Sequence, residues 1–333
     1  MISTPLPTPL PTPALPTDQS DAGIPVATSS LQGAVRLTDW GVIRAVGEDA
    51  RAFLHGQLTQ DMLKLDSTSA RLAGYCSAKG RLLASFVVWQ RGPAEILLAC
   101  SADLLPATLK RLSMFVLRAK CKLSDASADL PLFGLAGATV QQSLGPASPA
   151  HAWGRAAVDS ADIVRLPDAA GIPRFLWAGE PSPALPALSP EAWAWLEVQS
   201  GVVRIVAATA EQFVPQMVNL EVVGGVNFQK GCYPGQEVVA RSQYRGTLKR
   251  RAFLFDSDGE ARPGLELYSS LDPEQPAGMV AAAAAFPDAS GRYALLAETK
   301  LAALEAPAVL HLGSTSGPVL RPTALPYGLP SES

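Results

Sequence analysis

The sequence is poor in charge: only 17% of its 333 residues are Asp, Glu, Lys or Arg, and the formal net charge is −3. A dedicated DNA-binding chain is normally strongly basic, so that class is disfavoured, although a local basic patch remains open. No uninterrupted apolar run is long enough to span a bilayer. The first 35 residues contain neither Lys nor Arg. A secretory signal needs a basic start and an organellar transit peptide is Arg-rich, so a cytoplasmic location is the expectation, with no membrane partner. The four cysteines, Cys76, Cys100, Cys121 and Cys232, are scattered and form no C-x-x-C pair. A disulfide scaffold is therefore excluded, and reduced thiols are expected. The three histidines, His55, His151 and His311, have no metal-ligand spacing and H-E-x-x-H is absent, so no metal site is expected.

What is abundant is apolar surface, 48% of the residues, enough to build a large core in two or three domains. Residues 1–30 are rich in Pro, Thr and Leu and read as a flexible tail. Trp40–Val46 reads as a strand, followed by helix-start chemistry at Gly47-Glu48-Asp49 and one or two short helices in ARAFLHGQLTQDMLKL. Arg71–Ser77 and Leu82–Gln90 form a hairpin about Ala78-Lys79-Gly80, with a third strand at Glu95–Cys100. A helix is expected over Ala102–Ala119, with Leu105, Leu109, Leu112, Phe115 and Val116 on one face. Short strands follow at Leu132–Leu135, Asp162–Leu166 and Arg174–Trp177. Ser189-Pro190-Glu191 starts a helix that ends at Gly201. Trp193 and Trp195 are two apart and cannot share a helical face, so they point to packing between units rather than to a cofactor box. Gly235–Tyr244 reads as a short helix. After it, RRAFLFDSD, GLELYSS, GMVAAAAAF, RYALLAE and AVLHLGS suggest a small β-barrel or sandwich.

The chemistry concentrates in NFQKGCYPGQEVVAR, residues 227–241. Lys230 precedes Cys232 by two residues and would favour a thiolate, and a helix beginning near Gly235 would add its free N–H groups. Gly231 and Gly235 permit a tight bend or close approach, and Pro234 stiffens it. Against this stands the bland reading of a lone cysteine as a small buried hydrophobe. A phosphate loop is excluded, because Lys230 precedes the glycine instead of following it. No G-x-S-x-G elbow occurs. Residues 241–251 carry Arg241, Arg245, Lys249, Arg250 and Arg251. That run is either a solvated face or an anion site.

NFQKGCYPGQEVVARSQYRGTLKR resembles the K-G-C-[YF]-x-G-Q-E signature of the YgfZ-type folate-binding proteins, which belong to the superfamily of the glycine-cleavage aminomethyltransferase (T-protein). GEDARAFLHGQLTQDM, AGYCSAKGRLLASF, SGVVRI and FVPQMVNLEVVGGVNFQKG agree with that family in order, so the resemblance runs from about Leu37 to Leu312. It implies an α+β, aminomethyltransferase-like folate-binding fold: three domains around a central channel, the last a β-barrel. The corresponding division is 1–30 tail, 31–245 folate-binding region with an internal boundary near 126, and 246–325 barrel. The resemblance implies tetrahydrofolate or a derivative as ligand, and a role in assembling or repairing iron–sulfur proteins, including tRNA-modifying enzymes, and in oxidative-stress tolerance. Iron–sulfur proteins or their assembly machinery would be the partners, and direct nucleic-acid binding is not expected. Cys232 and Lys230 would carry the chemistry. Gly231, Tyr233, Gly235, Gln236 and Glu237 would shape the loop and ligand site, with Arg241, Arg245, Lys79 and Arg81 as further ligand contacts. In one respect the chain departs from the superfamily. Leu83 and Ala84 stand where aminomethyltransferases carry an Asp pair, which argues against glycine-cleavage activity. Two rivals remain: a folate-dependent aminomethyl- or formyl-transferase, and an adaptor whose tail recruits partners.

Overall fold

The computed structural model describes residues 26–181, 184–244 and 248–330. In chain order the elements are β1 (Gly33–Arg36), β2 (Trp40–Val46), α1 (Ala50–His55), β3 (Ala70–Cys76), β4 (Leu82–Gly92), β5 (Glu95–Ser101), α2 (Leu105–Met114), β6 (Lys122–Asp125) and β7 (Leu132–Ala136). There follow α3 (Ala138–Leu144), β8 (Arg155–Val158), β9 (Ala161–Ala169), β10 (Ile172–Ala178), α4 (Pro190–Gln199) and α5 (Gln236–Tyr244). The chain closes with β11 (Arg250–Ser257), β12 (Glu266–Ser269), β13 (Asp272–Ala285), β14 (Tyr293–Lys300), β15 (Leu310–Leu312) and β16 (Arg321–Thr323). Through residue 25, the segment read as a tail lies outside the described residues, as does Arg245.

The strands make three antiparallel sheets, ordered β3-β4-β5-β2-β6, β1-β7-β10-β9-β8 and β15-β12-β13-β14-β11-β16. β4 runs through the first sheet as a near-continuous apolar strand, buried from Ala84 to Trp89. Such a run loses its driving force unless both faces are covered. The third sheet curls into a barrel-like module. Its edge strands β15 and β16 are joined by a hairpin whose two sides meet at the His311–Val319 bridge.

α4 joins the sheets. The Ser189 hydroxyl accepts the Ala192 N–H at 3.1 Å, capping the helix as its sequence predicts. Trp193 lies flat on β7, where an added Cβ on Gly134 would meet the indole at 2.5–2.6 Å. Trp195 turns the other way and meets Phe286, beyond β13, with ring centroids 5.7 Å apart. The two-residue spacing therefore sends one indole to the second sheet and the other to the third.

Two helix-end expectations are corrected. ARAFLHGQLTQDMLKL holds one short helix, α1, of the one or two expected, and the chain turns away at Gly56. Asp49 does not cap it through its side chain; its carboxylate accepts the Lys120 N–H at 2.8 Å instead. The helix expected over 102–119 spans only α2, since Leu117 takes a left-handed φ of +45°, which no α-helix can contain. Among the described residues no helix is long and apolar enough to cross a membrane.

Candidate functional site

The cysteine loop is built against two earlier segments. α1 ends at His55, and the following turn takes the Ala52, Phe53 and Leu54 carbonyls. Lys230 takes the next ones: its ammonium donates to the His55 carbonyl and, at 2.7 Å, to the Leu58 carbonyl just beyond the helix. It also lies 4.9 Å from the centroid of the buried Tyr233 ring. Burial lowers the Lys230 pKa to about 8, partly opposed by the charges of Asp61 and Cys232. Burial likewise raises the Tyr233 hydroxyl, with Cys76 adding to the effect. The second contact is with the β3–β4 turn. Gly235 has φ +79°, and a Cβ there would sit 2.7 Å from the Gly80 Cα. Gly80, at φ +71°, is pressed in turn against Val238 of α5. The two glycine turns interlock, which brings Lys79 close to the loop.

Cys232 is exposed, whereas Cys76 and Cys100 are buried and Cys121 half-buried. Burial pushes the thiols of Cys76 and Cys100 up to about 12 and raises that of Cys121. Next to the loop lies a pair that the motif reading passed over. His55 Nδ1 is 3.1 Å from Asp61 Oδ1, and His55 Nε2 is 3.2 Å from the place a Gly231 Cβ would occupy. Burial and the Lys230 charge lower the His55 pKa, with Asp61 acting to raise it. Both residues were visible in FLHGQLTQD, but only as letters of a family pattern. Among the described residues no group of three His, Cys, Asp or Glu side chains could hold a metal ion.

The remaining loop candidates face solvent or each other. Gln236 N–H donates to the Tyr233 carbonyl at 3.2 Å, and Glu237 pairs with Arg241 at 2.9 Å on the exposed side of α5. Arg81 donates to the Gln212 carbonyl and borders a groove shared with Arg250 and Glu298. The basic run at 241–251 is neutralised in part: Arg250 pairs with Glu298 and Arg251 with Glu221, each at 2.8 Å.

A larger cavity lies elsewhere. An open cleft of about 850 Å³ runs between β9, the end of α4, residues 222–224 and the C-terminal segment 324–327. Asp168, Gln199, Ser200 and Tyr327 supply its polar groups. Pro167 and Ser200 also line an inner cavity of about 40 Å³, walled by Trp40, Phe86, Trp153, Arg174, Glu197 and Arg204. It has room for a few waters. Burial raises the Glu197 pKa, with Arg204 pulling the other way. None of the predicted loop residues lines either cavity. The two regions are nevertheless linked by the segment after α1. Gln60 Nε2 donates to Gly224 O and Thr59 Oγ to Gly225 O, both at 2.6 Å, while Lys230 holds His55 and Leu58. The cleft residues come from widely separated segments, so no local pattern announced them.

No family model matches the chain. Among curated proteins it is similar to the tRNA-modifying protein YgfZ of Edwardsiella ictaluri, with 33% identity over 259 residues, 69% of this chain and 72% of the relative. The chain belongs to the YgfZ family. The tRNA-modifying protein YgfZ of Sodalis glossinidius extends the similarity to 89% of this chain and 93% of its own length, at 30% identity. The fold extends beyond the YgfZ proteins. Glycine cleavage system aminomethyltransferase T from Bartonella henselae superposes with a TM-score of 0.71 over 90% of this chain and 88% of its own, at 14% identity. That likeness establishes the aminomethyltransferase fold expected from the sequence, and the fold alone.

Proposed function

We propose that this YgfZ-family chain binds a tetrahydrofolate in the cleft and supports the assembly or repair of iron–sulfur proteins, tRNA-modifying enzymes among them, through the thiol of Cys232. The cleft carries the ligand part of this reading. Its volume of about 850 Å³ suits a ligand of folate's size, and its walls combine apolar Pro167, Leu325 and Pro326 with a few polar groups. Asp168, Gln199 and Ser200 would hold the polar edge of the ring system, Tyr327 would pack against its face, and the glutamyl end would leave through the open mouth. A bound folate would supply one-carbon chemistry. The chain's own residues bind and orient it. The inner cavity is too small for a double ring, so the ligand stops at the Pro167–Ser200 wall.

The thiol part rests on Cys232 being the exposed cysteine on a loop held rigidly by Lys230 and Gly235. The cytoplasm, where thiols stay reduced, suits this use. Calorimetry with tetrahydrofolate is expected to show saturable binding, weakened at least tenfold by Tyr327→Ala and left intact by Cys232→Ala. Absence of saturation in the wild type would remove the ligand from the reading. Complementation of a strain lacking its own YgfZ, read out through an iron–sulfur tRNA-modifying enzyme, is expected to fail with Cys232→Ala. A folate-dependent transferase is the second reading. Leu83 and Ala84 deny it a carboxylate on β4, but Asp168 lies in the cleft, held by Arg165 at 2.8 Å. Turnover of a one-carbon donor that Asp168→Asn abolishes would favour it.

A further inference from the structure

The loop after α2 presents an apolar, positively charged tip that the proposed function does not use. Met114 is 58% exposed, Phe115 44% and Leu117 87%. Leu117 holds a left-handed backbone, φ +45°, which a leucine adopts only at a cost in strain. The loop is anchored on both sides of this tip: before it, Phe115 N–H donates to the O of the buried Leu112 at 3.0 Å. Ala119 N–H returns to Val116 O at 2.8 Å, Asp49 N–H donates to Lys120 O at 3.2 Å, and Lys120 N–H donates to the Asp49 carboxylate at 2.8 Å. The apolar side chains are therefore held out by a fixed loop and do not belong to a frayed helix end.

Charge narrows the occupant. Residues 110–122 contain Lys110, Arg111, Arg118, Lys120 and Lys122 and no acid. Lys120 pairs with Glu48, and the Arg111 guanidinium lies 5.9 Å from the Phe115 centroid. Lys110, Arg118 and Lys122 are exposed and form no ion pair among the described residues. This contrasts with the basic run at 241–251, where Arg241, Arg250 and Arg251 are all paired. Nucleic acid fits less well: the two most exposed groups, Met114 and Leu117, are aliphatic, and the one exposed ring, Phe115, already has the Arg111 guanidinium over it. A protein partner needs about 800 Å² on each side for a stable interface, far more than three side chains provide. A lipid surface demands no matched area. Apolar tips enter the acyl boundary while Lys and Arg meet anionic headgroups.

We propose that residues 110–122 dock the chain peripherally on anionic phospholipid membranes, with Met114, Phe115 and Leu117 inserted and Lys110, Arg118 and Lys122 on headgroup phosphates. The expectation of no membrane partner rested on the lack of a spanning run, which does not bear on a peripheral contact.

Flotation of the full chain with vesicles tests this. Binding is expected to mixed phosphatidylglycerol–phosphatidylcholine vesicles, to weaken with salt, and to be absent on phosphatidylcholine alone. Leu117→Asn keeps a left-handed backbone that Asn tolerates. It is expected to hold or raise the unfolding midpoint while lowering vesicle affinity about tenfold. The triple variant Lys110→Gln, Arg118→Gln, Lys122→Gln is expected to lose on the order of a hundredfold, from roughly fivefold per charge. The proposal is overturned if the wild type fails to float with anionic vesicles, or if both variants float as it does. It is equally overturned if the triple variant loses affinity for RNA while vesicles bind neither protein.

Discussion

Burying an ammonium group is unfavourable unless oxygens replace its lost water, and Lys230 finds two of them at the end of α1. Lys230→Met removes both donated bonds and leaves the His55 and Leu58 carbonyls short of partners. A loss of about 1–3 kcal/mol is expected in urea unfolding. The pH dependence of that gap is a sharper check. The folded-state pKa of Lys230, about 8, lies below the ordinary lysine value. Between the two the unfolded chain holds more protons, so raising the pH stabilises wild type relative to Lys230→Met. A gap that narrows from pH 8 to 10 would contradict this. The same substitution removes one of the influences that lower His55, so the His55 ring should titrate at higher pH in an NMR experiment on the variant. Cysteine chemistry follows burial: an alkylating reagent applied to the folded chain is expected to modify Cys232 well before Cys76 or Cys100, as a peptide map would show. Reading the sequence placed Lys230 beside Cys232 and assigned it to the thiol. The structure also ties it to the end of α1 and the turn after it, which neighbours in sequence could not reveal because its acceptors lie at 55 and 58.

Among the elements, the interlocked turns are the best example of a contact fixed by backbone shape. Gly235 combines a positive φ with close approach to the Gly80 backbone. Gly235→Ala is expected to cost about 2–5 kcal/mol, from backbone strain plus displacement of the β3–β4 turn. An unfolding midpoint unchanged from wild type would show that the loop can move away freely. The hairpin, the central strands and α4 were legible because each has a local cause: apolar runs, a tight turn, or a Ser-Pro-Glu start. The true end of α2 was not. Its apolar periodicity continues to Val116, and what stops it is the docking of Lys120 onto Asp49, a partner far back in the chain.

Across the whole molecule, the cleft exists only because the C-terminal segment returns to the second sheet. The Tyr327 hydroxyl donates to Gly201 O at 2.7 Å and accepts from Asn219 Nδ2 at 3.3 Å. Gly201, at φ +68°, both follows α4 and leaves room for the Tyr327 ring. A chain ending at Thr323 is expected to lose this wall, to bind tetrahydrofolate at least tenfold more weakly and to melt at lower temperature. Unaltered affinity in calorimetry would place the ligand somewhere other than the cleft.

By itself the sequence determined the family signature, the strand-rich plan, the opposed directions of Trp193 and Trp195, and the singular setting of Cys232. The signature rests on resemblance to a known family; the rest follow from periodicity and short-range spacing, which act along the chain. Only the tertiary structure decided that Lys230 is spent on the His55 and Leu58 carbonyls, that Arg250 and Arg251 are neutralised by Glu298 and Glu221, and that the cleft lies apart from the cysteine loop. Charge pairing and cavity shape depend on which distant segments meet, and packing three sheets around α4 is what brings them together.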